Sequence, residues 1–509
     1  MVRRKSCAAC LRGHDRGWRG TCWVGSMTRA RLLSPMLCTT ILLSACGDDG
    51  SDETETATAT VGASSTTGDP TGSVPTSTTG DDPPAARPNW HEDIAPIAAK
   101  HCGSCHYDGG IAPFSVASYE GAKPWAPAMA ANVEMALMPP WHAVETDECT
   151  PPFGFKHDAR LGDDVKQLFI DWADNGAPEG DPKLAAPIPD PPSLDLANPN
   201  KTALMQSAVT LPAAGQVRDY FNCLSIDPGN AETVYLDGMQ VIAGNRSIVH
   251  HVLIYVDAKG DSAKWAGGKK LDCGGGPGGV AGAQLVAGWV PGGMPIEPPP
   301  GVGTEMPPGT RLIMNVHYHA AATEQQDDAT GLALRWKTAP PAWSSLFVLV
   351  GDPGFGSSLT GELMIPAGAK DHVEEYTWKV GLDGKDFPDL VDVRLWAALN
   401  HMHKVGVDLK VWIEDRDSGE ETCLLQTPRW DFNWQRSYAY DTPIESAFRL
   451  RSGDTVRVRC TYDNTLNNSG VQELLAEVGL KEPVDITLGE GTLNEMCITG
   501  LGVAVKGGL

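Results

Sequence analysis

The sequence predicts a multidomain chain in which a small all-α domain precedes two all-β sandwich domains of jelly-roll texture. Three observations lead there. Apolar residues recur at helical spacing near the start of the folded region, as in Leu161-Gly-Asp-Asp-Val-Lys-Gln-Leu-Phe-Ile-Asp-Trp172, which Asn175-Gly176 closes. From about residue 201 onward, short alternating stretches such as Ile248–Val256, Arg311–His319, Val393–Leu399, Val405–Ile413 and Thr455–Tyr462 are split by Gly and Pro turns. With 56 glycines and 39 prolines among 509 residues, and no long amphipathic helix, composition favours β-rich architecture.

Residues 1–46 are expected to be a leader. From Met27 the chain shows Arg29 and Arg31, an apolar run from Leu32 to Leu43, and then Leu43-Ser-Ala-Cys46. That tetrapeptide resembles the bacterial lipobox, whose cysteine is lipidated; an ordinary secretory cleavage site is the alternative, and Met1 and Met27 both stay open as the start. The expectation is an exported lipoprotein of a bacterial cell envelope, touching membrane only through lipid on Cys46. Residues 47–88 are Ser, Thr, Gly, Asp and Pro with almost nothing to bury, a disordered tether. A formal charge of −24 excludes nucleic-acid partners, which need a basic face.

Residues 89–182 are expected to fold as one helical unit. A helix pattern from Trp90 to Lys100 leads into Cys102-Gly-Ser-Cys105-His106. Cys-x-x-Cys-His is the attachment signature of covalently bound haem c: both thiols form thioethers and the adjacent histidine reaches the iron. A thioredoxin-like redox pair would want a βαβ context, and a zinc site a second cysteine pair; neither is visible. The stretch Met135-Ala-Leu-Met138-Pro-Pro-Trp141-His142 resembles that of cytochrome c-like domains whose second axial ligand is a methionine beside a proline-rich turn. Met138 is the candidate, with Met129, Met135 and His142 as alternatives.

A proline-rich connector at 183–200 leads to the β-domains, set at 201–341 and 342–509 with a seam in Thr338-Ala-Pro-Pro-Ala342. Histidines concentrate here in Ser247-Ile-Val-His250-His251, in Asn315-Val-His317-Tyr-His319 and in Asn400-His401-Met-His403. Alternate residues of a strand share a face, so His401 and His403 make a two-imidazole chelate with Met402 opposite. Adjacent His250 and His251 would diverge on a regular strand. Joint ligation therefore demands an irregularity, with different ring nitrogens expected to face the metal.

These motifs, with Glu495-Met496-Cys497 after them, resemble the copper type II, ascorbate-dependent monooxygenases, the group of peptidylglycine α-hydroxylating and dopamine β-monooxygenases. The resemblance spans roughly 205–509 and keeps the motif order. It implies two β-sandwiches facing each other across a solvent cleft and two copper ions. His250, His251 and His317 match the ligands of an electron-storing copper. His401, His403 and Met496 match those of the copper where O2 reacts. Imidazole suits copper in both oxidation states and a thioether favours Cu(I), whereas zinc cannot cycle electrons. The resemblance also implies disulfides Cys460–Cys497 and Cys223–Cys273, leaving Cys149 and Cys423 with their pairing open.

Two departures bear on substrate. Where the peptide-amidating members carry a carboxylate-gripping arginine and a tyrosine, this chain has Leu399 and Gly500, so a glycine-extended peptide is not expected. His319 is not required by the motif and is expected at the surface, with a role beside the ligands, or as a spare ligand, as the alternatives. The expected activity is hydroxylation of a C–H bond in a small molecule by O2, with electrons from the fused haem, ascorbate or another donor. An electron-transfer or copper-binding envelope protein without hydroxylase activity is the alternative.

Overall fold

A computed structural model describes residues 87–507 apart from 111, 216, 292, 353–362 and 382–386. The leader, Cys46 and nearly all of the 47–88 tether lie outside the described residues. Strands dominate and helices are few.

The helices come first. Asn89 caps the opening turn by accepting a hydrogen bond from the Glu92 amide at 3.0 Å. The turn Trp90–Ile94 runs into helix Ala95–His101. Helices Ala126–Glu134 and Asp163–Asp174 pack on each other, and Gly176 ends the last with φ 80°. Trp90, Ile94, Ala98, Phe169 and Trp172 form a small core with Cys102 against it.

The stretch 141–159 does not belong to this unit, contrary to the expectation of one folded unit over 89–182. Trp141, Ala143 and Phe155 are buried in the core of the second β-domain. The Thr146 hydroxyl donates to the Gln426 side chain at 2.7 Å, and Lys156 donates its amide to the Ala439 carbonyl at 2.8 Å. Cys149 is disulfide-bonded to Cys423. Two large aromatics find more apolar surface on the β-domain than the small helical core offers, and the disulfide fixes the choice.

The connector turns back over the Cys102–Cys105 loop, where the Ser104 hydroxyl donates to the Pro192 carbonyl at 2.6 Å. It then docks on the first β-domain through buried Leu196.

In the first sandwich, one sheet runs Lys269–Lys270, Asp219–Ile226, Arg311–His319, Val249–Asp257, Gln284–Trp289 in spatial order. It packs on the strands Lys201–Leu204, Gly331–Lys337, Val234–Ile242 and Val302–Met306, with Leu224, Ile254, Met314, Val316 and Leu334 between. In the second sandwich, the sheet His372–Lys379, Thr455–Tyr462, Gly406–Glu414, Glu421–Thr427 faces Trp343–Asp352, Cys497–Lys506 and Val393–His401. Leu395, Leu409, Val411, Val458 and Val503 fill that interior.

The two sandwiches share a sheet. Val302–Met306 pairs in parallel with Trp343–Asp352 through Trp343↔Val302 and Ser344↔Gly303, so nine strands run across both domains. The expected seam at 338–342 falls in the link between Gly331–Lys337 and Trp343–Asp352. Phe347 and Leu349 of the second domain pack beside Tyr255 and Ile313 of the first.

The remaining disulfides are Cys223–Cys273 and Cys460–Cys497. Three disulfides fit a compartment outside the reducing cytoplasm. No helix among the described residues is long and apolar enough to cross a membrane.

Candidate metal centre

His250 and His251 lie on Val249–Asp257, antiparallel to Arg311–His319. Val249 pairs with Tyr318 and His251 with His317, so His250 is the extra residue of a β-bulge. The bulge turns two adjacent imidazoles to one side. His250 Nδ1 lies 3.3 Å from His251 Nδ1, which lies 3.3 Å from His317 Nδ1. The irregularity is therefore present, but it is the same ring nitrogen, not different ones, that each presents. The three side chains form a group able to hold a metal ion, with ligand atoms within 4.8 Å of one another.

The surroundings fix the rings. His317 stacks on Phe221 with centroids 4.4 Å apart, and its Nε2 lies 3.0 Å from Asp219 Oδ1. With Nε2 engaged by Asp219, His317 turns its Nδ1 toward the other two rings. Burial works against the Asp219 carboxylate, but hydrogen bonds from His317, His319 and Thr492 outweigh it and hold it well below the usual range. Burial, with the neighbouring histidines, pushes His250 down to about 3 and His251 well below the ordinary value. Both are thus neutral at physiological pH, the form that binds metals.

The second set is built differently. Val393–His401 ends at His401, and His403 follows just beyond it. Met402 between them is buried in the apolar core, while the two imidazole centroids lie 5.3 Å apart on the other side. His401 Nδ1 is 2.6 Å from Gln435 Oε1 and His403 Nδ1 is 2.9 Å from the Asn494 carbonyl, so Nε2 is the free nitrogen of each. Burial pushes His403 down to about 3 and lowers His401 as well. Met496 lines the same cavity as both histidines, next to the Cys460–Cys497 disulfide, and its carbonyl accepts from the Tyr462 hydroxyl at 2.9 Å.

Glu495 is fully buried beneath this set. Its carboxylate accepts from the His403 amide and, at 3.1 Å, from the Val405 amide, shaping the turn that presents His403. Burial raises its pKa to about 8 against the pull of these bonds.

The two sets abut. The centroids of His251 and His401 are 6.0 Å apart, and Phe432 stacks on His250 at 4.9 Å while lying 5.8 Å from His403. That differs from sites facing each other across a solvent cleft; the shared sheet draws the strands together. A cavity of about 250 Å³ touches His251, His401, His403 and Met496, with Leu253, Trp289 and Ile498 in its wall and no Lys or Arg among its described lining residues.

His319 is not a free surface side chain, as was expected. Its Nδ1 lies 3.1 Å from Asp219 Oδ1 and its Nε2 2.7 Å from Glu477 Oε1. Those two carboxylates raise it to about 9.

At the Cys-x-x-Cys-His loop, Cys102 and Cys105 are the only unpaired cysteines among the described residues. His106 Nδ1 is 3.3 Å from the Phe114 carbonyl, which leaves Nε2 free. Gly103 has no room for a side chain: a Cβ would sit 2.6 Å from the Ala99 carbonyl and 2.8 Å from Pro191 Cγ. A cavity of about 1130 Å³ runs from Cys105 to Trp289 and Trp434. Met138 is half-buried just before the 141–159 strap, whereas Met129 is in the helical core and Met135 is exposed. His142 is committed to the β-domain, its Nδ1 2.6 Å from the Arg429 carbonyl.

Asp219, Gln435, Glu495 and Phe432 were not singled out for these roles in the sequence. Glu495 stands inside a quoted motif, and Asp219 four residues before Cys223, but nothing in their spacing marks them.

No protein-family model matches the chain, and no curated protein matches it. Among solved structures it is similar to one of the Gx strain of infectious bursal disease virus, at 8% identity over 60% of this chain and 72% of that one, with a TM-score of 0.13. It is also similar to the VP2 subviral particle of that virus, at 10% identity over 63% and 83%, with a TM-score of 0.09. Neither likeness carries an argument about fold or function.

Proposed function

We propose that the chain is a copper-dependent monooxygenase of the type II, ascorbate-dependent kind, fed with electrons by a c-type haem on Cys102, Cys105 and His106. The observation that carries this reading is the pair of unlike imidazole sets at one spot. One offers three Nδ1 atoms, and the other offers two Nε2 atoms beside a methionine. Zinc needs neither the thioether nor a second, different site.

The donor sets fit copper: burial favours the neutral imidazole at His250, His251, His401 and His403, and Asp219, Gln435 and the Asn494 carbonyl orient the His317, His401 and His403 rings. The Cys102–His106 loop fits haem c, with two free thiols and a histidine anchored through Nδ1. Bound there, copper would supply one-electron redox and O2 activation, and haem a store of electrons for the two that each turnover consumes.

The chain's own residues then do three things. Gln435 and Asn494 hold the His401 and His403 rings with Nε2 toward the cavity. Leu253, Trp289, Leu399 and Ile498 wall the space beside them and exclude water. Met496 supplies the soft donor. Substrate follows from the same wall. With no Lys or Arg among the described residues that line the cavity, a carboxylate at the reacting end would find no cationic partner among them. Gly500 agrees with this, because a Cβ there would sit 2.5 Å from the Phe347 ring, which fills the space a tyrosine would use. A small, largely apolar C–H substrate suits it.

Copper-loaded protein should incorporate one atom of labelled O2 into such a substrate, and Met496→Ile should abolish that while leaving haem reduction intact. Copper and haem both bound, with no labelled oxygen incorporated in any of a broad set of amines and aromatics, would instead favour an envelope electron carrier.

A further inference from the structure

Several part-buried arginines in this acidic chain are paired with carboxylates. Arg311 lies 2.7 Å from Asp227, Arg335 2.9 Å from Asp237 and Arg459 2.7 Å from Glu148. Arg436 differs, because among the described residues it meets no carboxylate and makes no hydrogen bond. Burial holds its guanidinium below the usual range, opposed only by Tyr438 and the Cys105 thiol. A part-buried cation with no carboxylate beside it is a natural partner for an anion.

The surroundings are ready for that. The guanidinium lies 5.9 Å from the Trp141 ring centroid. Trp141 and Trp396 are buried to 5% and 4% exposure, and the Nε1 of each has no hydrogen-bond partner. Both indoles, Lys156 and Arg436 line one cavity of about 330 Å³. Asp237 and Glu297 also border it, but Arg335 pairs with both and Lys337 with Asp237. Two unspent cations, two unspent N–H donors and aromatic walls make a receptor for a carboxylate on a flat apolar body.

We propose that the cavity walled by Trp141, Trp396, Lys156 and Arg436 is a carboxylate-binding site. Two sources supply that chemistry. One is a propionate of haem attached at Cys105, because the cavity that Cys105 lines shares Trp289 and Gly293 with this one. The other is a free organic acid. It would lie beside the metal cavity, because Leu399, Trp289 and Gln435 line both spaces. Only the propionate source rests on the haem reading above.

The test titrates the full chain, disulfides intact, with sodium benzoate by isothermal calorimetry. It uses the haem-loaded form and the Cys102→Ala/Cys105→Ala form, each with and without Arg436→Gln. A free-acid site binds benzoate in the haem-loaded chain, weakens at least about tenfold in Arg436→Gln, and leaves the haem reduction potential unmoved. A propionate site admits benzoate only when haem is absent, and Arg436→Gln then shifts the potential of the loaded chain. Arg436→Lys keeps the charge and should recover part of either effect, which separates loss of the site from misfolding. Benzoate affinity and haem potential both indifferent to Arg436→Gln overturn the proposal. If the purified chain holds no haem, the benzoate arm decides alone, so the two readings fail separately.

Discussion

The two histidine sets use the same side chain in opposite ways. His250 and His251 stand near the start of one strand and His317 near the end of its partner, where a bulge makes neighbours converge and the three Nδ1 atoms approach one another. His401 and His403 come from a strand's end, where Gln435 and the Asn494 carbonyl occupy Nδ1 and leave Nε2. The first set is compact and all-nitrogen, and the Asp219 carboxylate holds the His317 ring through Nε2. The second has amide and carbonyl support, weaker donors of charge, and a thioether nearby. Under the copper reading proposed above, the environment of the unused nitrogen is what would separate an electron-holding site from one for a soft, reactive metal.

Removing a ligand should give the largest effect and the first chance to break this contrast. His251→Ala and His401→Ala are each expected to cost one copper equivalent by metal analysis and to abolish turnover. If either substitution emptied both sites, the adjacency of His251 and His401 would make them one cluster and the contrast would fail.

Next come the supports. Asp219→Asn is expected to weaken copper about 10- to 100-fold at the first set only, and Gln435→Leu similarly at the second only, read by chelator competition. Equal losses at both sets from either change would deny them separate identities.

The smallest effect concerns acid stability. The bond from His319 pushes Glu477 down to about 2, against its burial and with help from Lys404. A carboxylate with a depressed folded pKa stabilises above its ordinary value near 4.5 and loses that contribution as pH falls toward 2. Glu477→Gln should therefore lower stability at pH 6 by roughly 1 kcal/mol and flatten the acid limb of the unfolding curve. An unchanged acid limb would show that the carboxylate is not held as the geometry indicates.

The β-rich architecture and the helices around Cys102 were legible because period and turn residues are local signals. So was the convergence of His250, His251 and His317, since their density marks the strands that carry them. The bulge followed from logic, since adjacent histidines on a regular strand would diverge, but the choice of nitrogen did not. Asp219, Gln435 and Glu495 were hidden because their partners lie 98, 34 and 92 residues away and ordinary polar residues look alike in sequence. His319 was misjudged for the same reason: surface placement is the common fate of a histidine, and Glu477 lies on a distant helix. The 141–159 strap was assigned to the nearest helices because nothing in Trp141 or Phe155 says which core will bury it.

That strap has a consequence for motion. The helical unit is held on one side by Cys149–Cys423 and on the other by the connector that docks through Leu196. A domain pinned at two points is not a swinging arm that shuttles between partners. Its local concentration at the β-domains is that of a short intramolecular tether, on the order of millimolar or above. The same helical unit supplied as a separate protein would have to reach that concentration to replace it. The fused arrangement thus keeps the Cys105 loop facing the β-domains however dilute the protein becomes.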